Sequence, residues 1–211
     1  MGRPAYGPAP AEILYKVNTM NQVIEIEKET ALLEPTTRKF PAEGTNLARI
    51  LSDPQHRQAF HANLKRYNPL VAVLYKSGLL PLFGISRTVM LLTTRGRKSG
   101  KLRSVPIGYF RIGGIVHLFS AWGKGASWYK NLAASPTQVW LQIGMRKWPV
   151  RAEAIDQPDE IMKTLTQFID ESPDQAHYIF GWEPKLDRLD RADFSMVIDR
   201  VLIVRFIPKT G

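Results

Sequence analysis

Cysteine is absent from all 211 residues. Disulfides, thiolate metal sites and a cysteine nucleophile are therefore excluded. The absence fits a reducing cytoplasm, the compartment expected for this chain. A second absence is longer. No carboxylate side chain occurs between Asp53 and Glu153, while the same stretch carries sixteen lysines and arginines. A carboxylate general base, a paired-carboxylate site or an Asp/Glu metal site cannot be built from this segment alone. No uncharged apolar run reaches the roughly 18 to 20 residues that a bilayer-spanning helix needs. The N-terminus lacks the basic, apolar, small-residue order of a secretion signal. G-x-G-x-x-G and Walker sequences are also missing.

What is present is positive charge, unevenly placed. The chain carries a net +10; its middle is +16, and the segments before and after it are −1 and −5. An all-basic segment of this length suits a polyanionic ligand, a nucleic acid or an anionic membrane surface.

Residues 1–50 hold scattered prolines and little periodicity, so they are expected to form an N-terminal arm, with one helix over 13–34. Residues 51–211 are expected to form the folded domain. Asp53-Pro54 is a helix-start signal. Asn68-Pro69 repeats it, so two consecutive helices are predicted, with Phe60, Leu64, Tyr67, Val71 and Leu74 as the inner stripe and Gly78 as the stop. From residue 88 the period becomes that of strands. "TVMLLTT", "LRSVPIGYF", "IVHLFSAW", "TQVWLQI", "MRKWPVRAEA" and "RVLIVRFI" give about six strands, mostly joined by short turns and so antiparallel. Pro106 marks its strand as an edge or a bulge. The last strand, apolar on both faces, is expected to be central or sandwiched. A helix "SWYKNLAA", capped by Ser127, interrupts the strands, and acidic helices are predicted over 158–171 and 173–194. The order suggests a mainly β, α+β domain: a small closed or split barrel with helices at its flanks.

The turn "RGRKSGKLR" places Arg95, Arg97, Lys98, Lys101 and Arg103 around two glycines. Glycine-rich turns let backbone amides converge on an anion, and guanidinium or ammonium groups add charge-assisted hydrogen bonds. "GKGAS", just before a helix, presents Lys124, Gly125 and a positive helix end together. The bland alternative is a solvated basic hairpin.

"LLTTRGRKSGKLRSVPI" followed by "SAWGKGASWYKNLAASPTQVWLQIG" resembles the deazaflavin-dependent nitroreductase family, whose fold is the split β-barrel of flavin-binding reductases. The likeness covers about residues 60–155. It implies coenzyme F420, a deazaflavin bearing a phosphate and an oligoglutamate tail, with FMN as the alternative cofactor. It also implies that Arg97, Lys98, Ser99 and Arg103 hold the phosphate and tail. Ser120, Trp122, Lys124, Gly125, Trp128, Tyr129 and Asn131 would lie along the cofactor, the last three matching W-Y-x-N. Late aromatics, here Tyr178, Phe180 and Trp182, would wall the substrate pocket. The chain is shorter than the family before W-Y, and its N-terminal arm has no family counterpart.

The expected activity is hydride transfer from reduced deazaflavin to a small electron-poor or conjugated molecule such as a quinone, enone or nitro compound. The cofactor carries the hard chemistry, so no catalytic triad is needed; Ser120 or Tyr178 is expected to deliver the proton. The competing readings are an FMN- or haem-binding barrel and a non-catalytic binder of nucleic acid or anionic lipid. The aromatics cluster after the basic hairpin rather than on it, which disfavours nucleic acid. A homodimer and a peripheral membrane contact through "LLPLFG" are compatible with the sequence. No metal site is expected. His56 and His61 are off ligand spacing, and Asp187, Asp190 and Asp193 read as intrahelical ion pairs.

Overall fold

A computed structural model describes residues 37–82, 84 and 87–209. The chain runs through β1 (Arg38–Lys39), α1 (Asn46–Ser52), α2 (Pro54–Lys76) and the short α3 (Leu79–Leu82). Four strands follow: β2 (Val89–Arg95), β3 (Leu102–Gly108), β4 (Phe110–Ile112) and β5 (Ile115–Ser120). A single 3-10 turn at Gly123–Gly125 leads into α4 (Ser127–Ala134), β6 (Val139–Ile143) and β7 (Arg146–Ile155). The chain closes with α5 (Pro158–Glu171), α6 (Pro173–Phe180), β8 (Ala192–Asp193), α7 (Ser195–Arg200) and β9 (Leu202–Pro208).

Seven strands form one antiparallel sheet in the order β3-β2-β6-β7-β9-β5-β4. The ten-residue β7 is why the sheet curls. Its first half, Arg146 to Val150, pairs with β6, and its second half, Val150 to Ile155, pairs with β9. Only Val150 is paired on both sides, so β7 carries the chain from one half-sheet to the other. Pro149, which has no N–H to give, sits in the half that β9 does not reach. The edge strand β3 comes round towards β5, giving a split barrel.

Alternation then sorts the side chains. Met90 and Leu92 of β2, Leu118 of β5, Leu141 of β6 and Val204 of β9 point inward and are fully buried in one cluster. Both half-sheets contribute to it, which is the signature of closure. Shortening Leu92 to Ala here should cost about 2 to 5 kcal/mol. The opposite face of β5 and β9, with Phe119 and Ile203, packs under α1, α5, α6 and α7. Arg205, also outward, is held by Glu153 at 2.8 Å and Glu160 at 3.0 Å.

The expected strands are present except that "LRSVPIGYF" is broken at Tyr109 into β3 and β4, which lie at opposite edges of the sheet; Pro106 does lie on an edge strand. β9 is central, between β7 and β5. Five further local expectations fail, each for a physical reason. Residues 54–76 form one helix, not two. Pro69 removes only the bond to the Lys65 carbonyl, and both residues are exposed, so water replaces it. The inner face is Ala72 and Tyr75 rather than the stripe through Tyr67, which is 52% exposed. Ser127 is the first residue of α4 and does not cap it; Ala126 precedes it with no side-chain cap. The helix predicted over 173–194 stops at Phe180, because Gly181 takes a left-handed φ of 74°. A Cβ there would stand 2.7 Å from the Ala42 Cβ, so the turn requires glycine. Consequently Asp187 pairs with Arg38 at 2.7 Å instead of within a helix, and Arg188 bonds Asp190 at 3.1 Å.

The domain boundary also moves. The compact unit begins at Arg38. β1 pairs in parallel with β8, and Phe40, 1% exposed, lies against Trp182 and Phe194 at 5.1 and 5.0 Å. Ile50 and Leu51 of α1 are buried too. Residues 38–50, expected in the arm, thus build core. The expected helix over 13–34 lies outside the described residues.

Candidate cofactor and acceptor site

The basic turn joins β2 to β3, and its own backbone closes it. The Gly96 amide donates to the Lys101 carbonyl and the Gly100 amide to the Gly96 carbonyl, both at 2.8 Å. Gly96 is buried, and a Cβ there would meet Ser99 Oγ at 3.0 Å, the Lys101 carbonyl at 3.1 Å and Arg103 Nε at 3.3 Å. Arg97, Lys98, Ser99 and Arg103 are all exposed around it. Below, Thr93 and Ser104 share a hydroxyl hydrogen bond at 3.0 Å across the two strands.

Asn131, 6% exposed on α4, ties this turn to the rest of the site. Its Oδ1 accepts from the Arg97 amide at 3.2 Å and from Arg97 Nη1 at 3.1 Å. Two stretches separated by about thirty residues in sequence are thereby fixed side by side. Among the described residues no carboxylate forms an ion pair with Arg95, Arg97, Lys98, Lys101 or Arg103. Five exposed and uncompensated cations around a rigid glycine turn fit the phosphate and carboxylates of a polyanionic cofactor.

Just before α4 the arrangement differs. Lys124 is not free: Asp156 holds its Nζ at 3.0 Å. That hydrogen bond raises the lysine pKa and lowers the Asp156 pKa. Ser120 is 3% exposed, and its hydroxyl donates to the Gly123 carbonyl at 3.5 Å. Trp128 and Tyr129 meet edge to face at 5.9 Å and pack against the barrel interior. Trp122 is half-buried, stacked on Phe60 at 5.9 Å with His61 tilted against it at 6.0 Å.

A cavity of about 490 Å³ opens beside Trp122 and Gly125. Its far wall comes from α2 and α7: Arg57, Gln58, His61 and Arg200. Arg57 Nη2 donates to the Ala121 carbonyl at 3.3 Å, and Arg200 Nη1 to the Leu51 carbonyl at 2.7 Å. Both guanidinium groups are held by carbonyl oxygens, and neither pairs with a carboxylate among the described residues. Sequence reasoning missed these wall residues, because nothing local links position 57 to 121 or 200 to 51.

The late aromatics do not wall this cavity. Phe180 and Trp182 are 0% and 4% exposed and belong to the core around Phe40 and Phe194. Tyr178 is 79% exposed on α6 and does not line the cavity. Phe180 at the end of α6 and Trp182 just beyond it serve packing. Among the described residues no group of three or more His, Cys, Asp or Glu is placed to hold a metal. No helix there is long and apolar enough to cross a membrane.

The split barrel and its basic glycine turn suit an oxidoreductase that takes a polyanionic cofactor. Residues 79–186 match the model of the F420H(2)-dependent quinone reductases, and the chain belongs to that family. F420, rather than FMN or haem, is the cofactor of the family and of this enzyme. Solved structures similar to it include an F420-H2 dependent reductase, FDR-A, at 26% identity. That alignment covers 57% of this chain and 94% of the other, with a TM-score of 0.39. A structure described as a domain-swapped dimer is 27% identical over 57% of this chain and 80% of that one, with a TM-score of 0.37. A conserved hypothetical protein from Mycobacterium tuberculosis is 15% identical over 62% and 79% of the two chains, with a TM-score of 0.41. The family assignment rests on the model match and not on these partial overlaps.

Proposed function

We propose that the enzyme reduces a small quinone, or a similarly electron-poor enone or nitro compound, in the cavity beside Trp122. The observation that carries this reading is that cavity's position. It adjoins the 3-10 turn leading into α4, while Asn131, further along α4, is bonded to the carboxylate-free cationic turn. A long anionic cofactor bound on the turn has its ring end directed along α4 to the cavity.

On this reading Arg97, Lys98, Ser99 and Arg103 bind the phosphate and tail, and Asn131 orients Arg97. Ser120, Trp122, Gly125, Trp128 and Tyr129 line the path of the ring. When bound, reduced F420 supplies a hydride, that is, two electrons and one hydrogen. The acceptor then needs one proton to become a hydroquinone or its equivalent. His61 offers it from the cavity wall. Ser120 Oγ, at the end of β5 and next to the ring path, is the second candidate. Arg57 and Arg200 stabilise negative charge on the acceptor oxygen as hydride arrives. Trp122, clamped between Phe60 and His61, shields the pocket from water.

Steady-state assays following F420H2 oxidation with quinone, enone and nitro acceptors test this reading. His61→Gln should lower turnover with a quinone about 10- to 100-fold while leaving F420 affinity unchanged. Trp122→Ala should raise the acceptor KM. Turnover indifferent to both changes would remove the acceptor from this cavity.

A further inference from the structure

The acceptor cavity holds more positive charge than the reduction of a neutral molecule calls for. Hydride on a neutral quinone adds one negative charge, and the proton that follows removes it. Yet two guanidinium groups, those of Arg57 and Arg200, line the cavity, and no acidic residue does. The carboxylates nearest in sequence do not compensate them. Asp53 caps α2, accepting from the Gln55 and His56 amides at 2.8 and 3.2 Å. Asp199, next to Arg200, forms an ion pair with neither arginine.

Both groups are also held in place. Each uses one N–H on a backbone carbonyl, Arg57 on Ala121 at 3.3 Å and Arg200 on Leu51 at 2.7 Å. A guanidinium has five N–H donors, so most remain. Among the described residues neither side chain makes another hydrogen bond. Arg57 is anchored next to Trp122, on the ring path, whereas Arg200 is anchored to α1. The end of α7 closes on the 3-10 turn: the Arg200 carbonyl lies 3.6 Å from where a Cβ on Gly123 would stand. Leu51 and Trp122 add apolar wall for a ring.

We infer that the acceptor is itself an anion: a quinone or similar ring whose side chain carries a carboxylate, bound by Arg200, while Arg57 faces the charge that hydride brings. The inference rests on the acceptor lying in this cavity. A carboxylate offers two oxygens to the planar donor fork of an arginine, a pairing that a carboxamide or an alkyl group does not reproduce. A site built to bond a charged group rejects the analogue that lacks it. The side chain takes no part in the reaction. The quinone takes up one hydride and one proton to become the hydroquinone, and the carboxylate leaves as it entered.

The test compares a naphthoquinone carrying a propanoate side chain with the same quinone carrying the propanamide. The methylenes insulate the ring, so the pair differ in charge and not in reduction potential. Binding is read by calorimetry on the enzyme loaded with oxidised F420, which has no hydride to give, and turnover by F420H2 oxidation. The propanoate is expected to bind about tenfold more tightly and to show a KM lower by the same factor. Arg200→Gln should bring the two quinones to within about twofold of each other, and Arg200→Lys should restore part of the preference. A purely structural role for Arg200 would weaken both quinones alike and keep their ratio, which would overturn the inference. So would a loss of F420 affinity in Arg200→Gln with the ratio unchanged, which would give the arginine to the cofactor. Equal binding and equal KM in the wild type overturn the anion site and leave quinone reduction standing. A binding preference for the propanoate that Arg200→Gln removes, with no turnover of either compound, upholds the anion site and overturns the quinone reading.

Discussion

Arg97 is bonded to α4 at Asn131, Lys124 stands just before that helix, and both come from glycine-rich basic stretches. Their surroundings differ. Arg97 is fixed by a neutral amide, Asn131, and keeps its charge available. Lys124 is fixed by a carboxylate, Asp156, and its charge is already met. The difference shows that a basic stretch is not in itself a binding site. What matters is whether the acidic part of the chain folds back on it. Carboxylates from Glu153 onward reach Lys124 and Arg205, and among the described residues none pairs with the β2–β3 turn, so its cations stay available to a polyanion.

The hardest way to break this comparison is to deform the turn. Gly96→Val places atoms against Ser99, the Lys101 carbonyl and Arg103. It should destabilise the fold by about 1 to 3 kcal/mol and abolish F420 binding, as seen by thermal melting and fluorescence titration. Next come the cations. Lys98→Ala and Arg103→Ala should each weaken F420 by about 1.5 to 3 kcal/mol, roughly 10- to 150-fold. Asn131→Ala removes both bonds to Arg97 and should weaken F420 about tenfold, with a stability cost of about 1 to 3 kcal/mol for the Arg97 amide it strands. Lys124→Ala should change affinity less than about threefold, because an exposed lysine already paired has little left to give. Asp156→Asn sharpens the contrast: it frees Lys124, so affinity should rise slightly and become sensitive to Lys124→Ala.

The smallest effect is expected away from both stretches. His117, 6% exposed on β5, has its pKa lowered chiefly by burial, opposed by its hydrogen bond to the Ile115 carbonyl. The unfolded chain therefore binds a proton more readily than the folded one. Stability should be intact above about pH 6.5 and fall as pH drops below it, by at most about 1.4 kcal/mol per pH unit. Urea unfolding of wild type and His117→Gln across that range measures it, and the variant should lose the slope.

Much of this was legible in the sequence because short-range rules governed it. Period-two alternation gave the six long strands, Pro106 an edge, and Asp53-Pro54 the start of α2. The basic turn was visible as charge without counter-charge. What stayed hidden depends on residues far apart. Phe40 is core only because β1 finds β8 and Trp182, some 150 positions on. Phe180 and Trp182 looked like pocket aromatics because exposure is not written in spacing. Lys124 looked free because its partner, Asp156, lies beyond β6 and β7. The cavity wall at Arg57, His61 and Arg200 joins two helices from opposite ends of the domain.

The central claim is that the β2–β3 turn holds the cofactor by a few convergent cations. Titration of F420 into wild type and into Lys98→Ala/Arg103→Ala, at low and at physiological ionic strength, tests it most directly. Wild type should bind at micromolar or better affinity and largely keep it in salt, as a small convergent site does and a broad polyanion face does not. The double variant should lose binding at both ionic strengths. Equal F420 affinity in the two proteins would contradict the account.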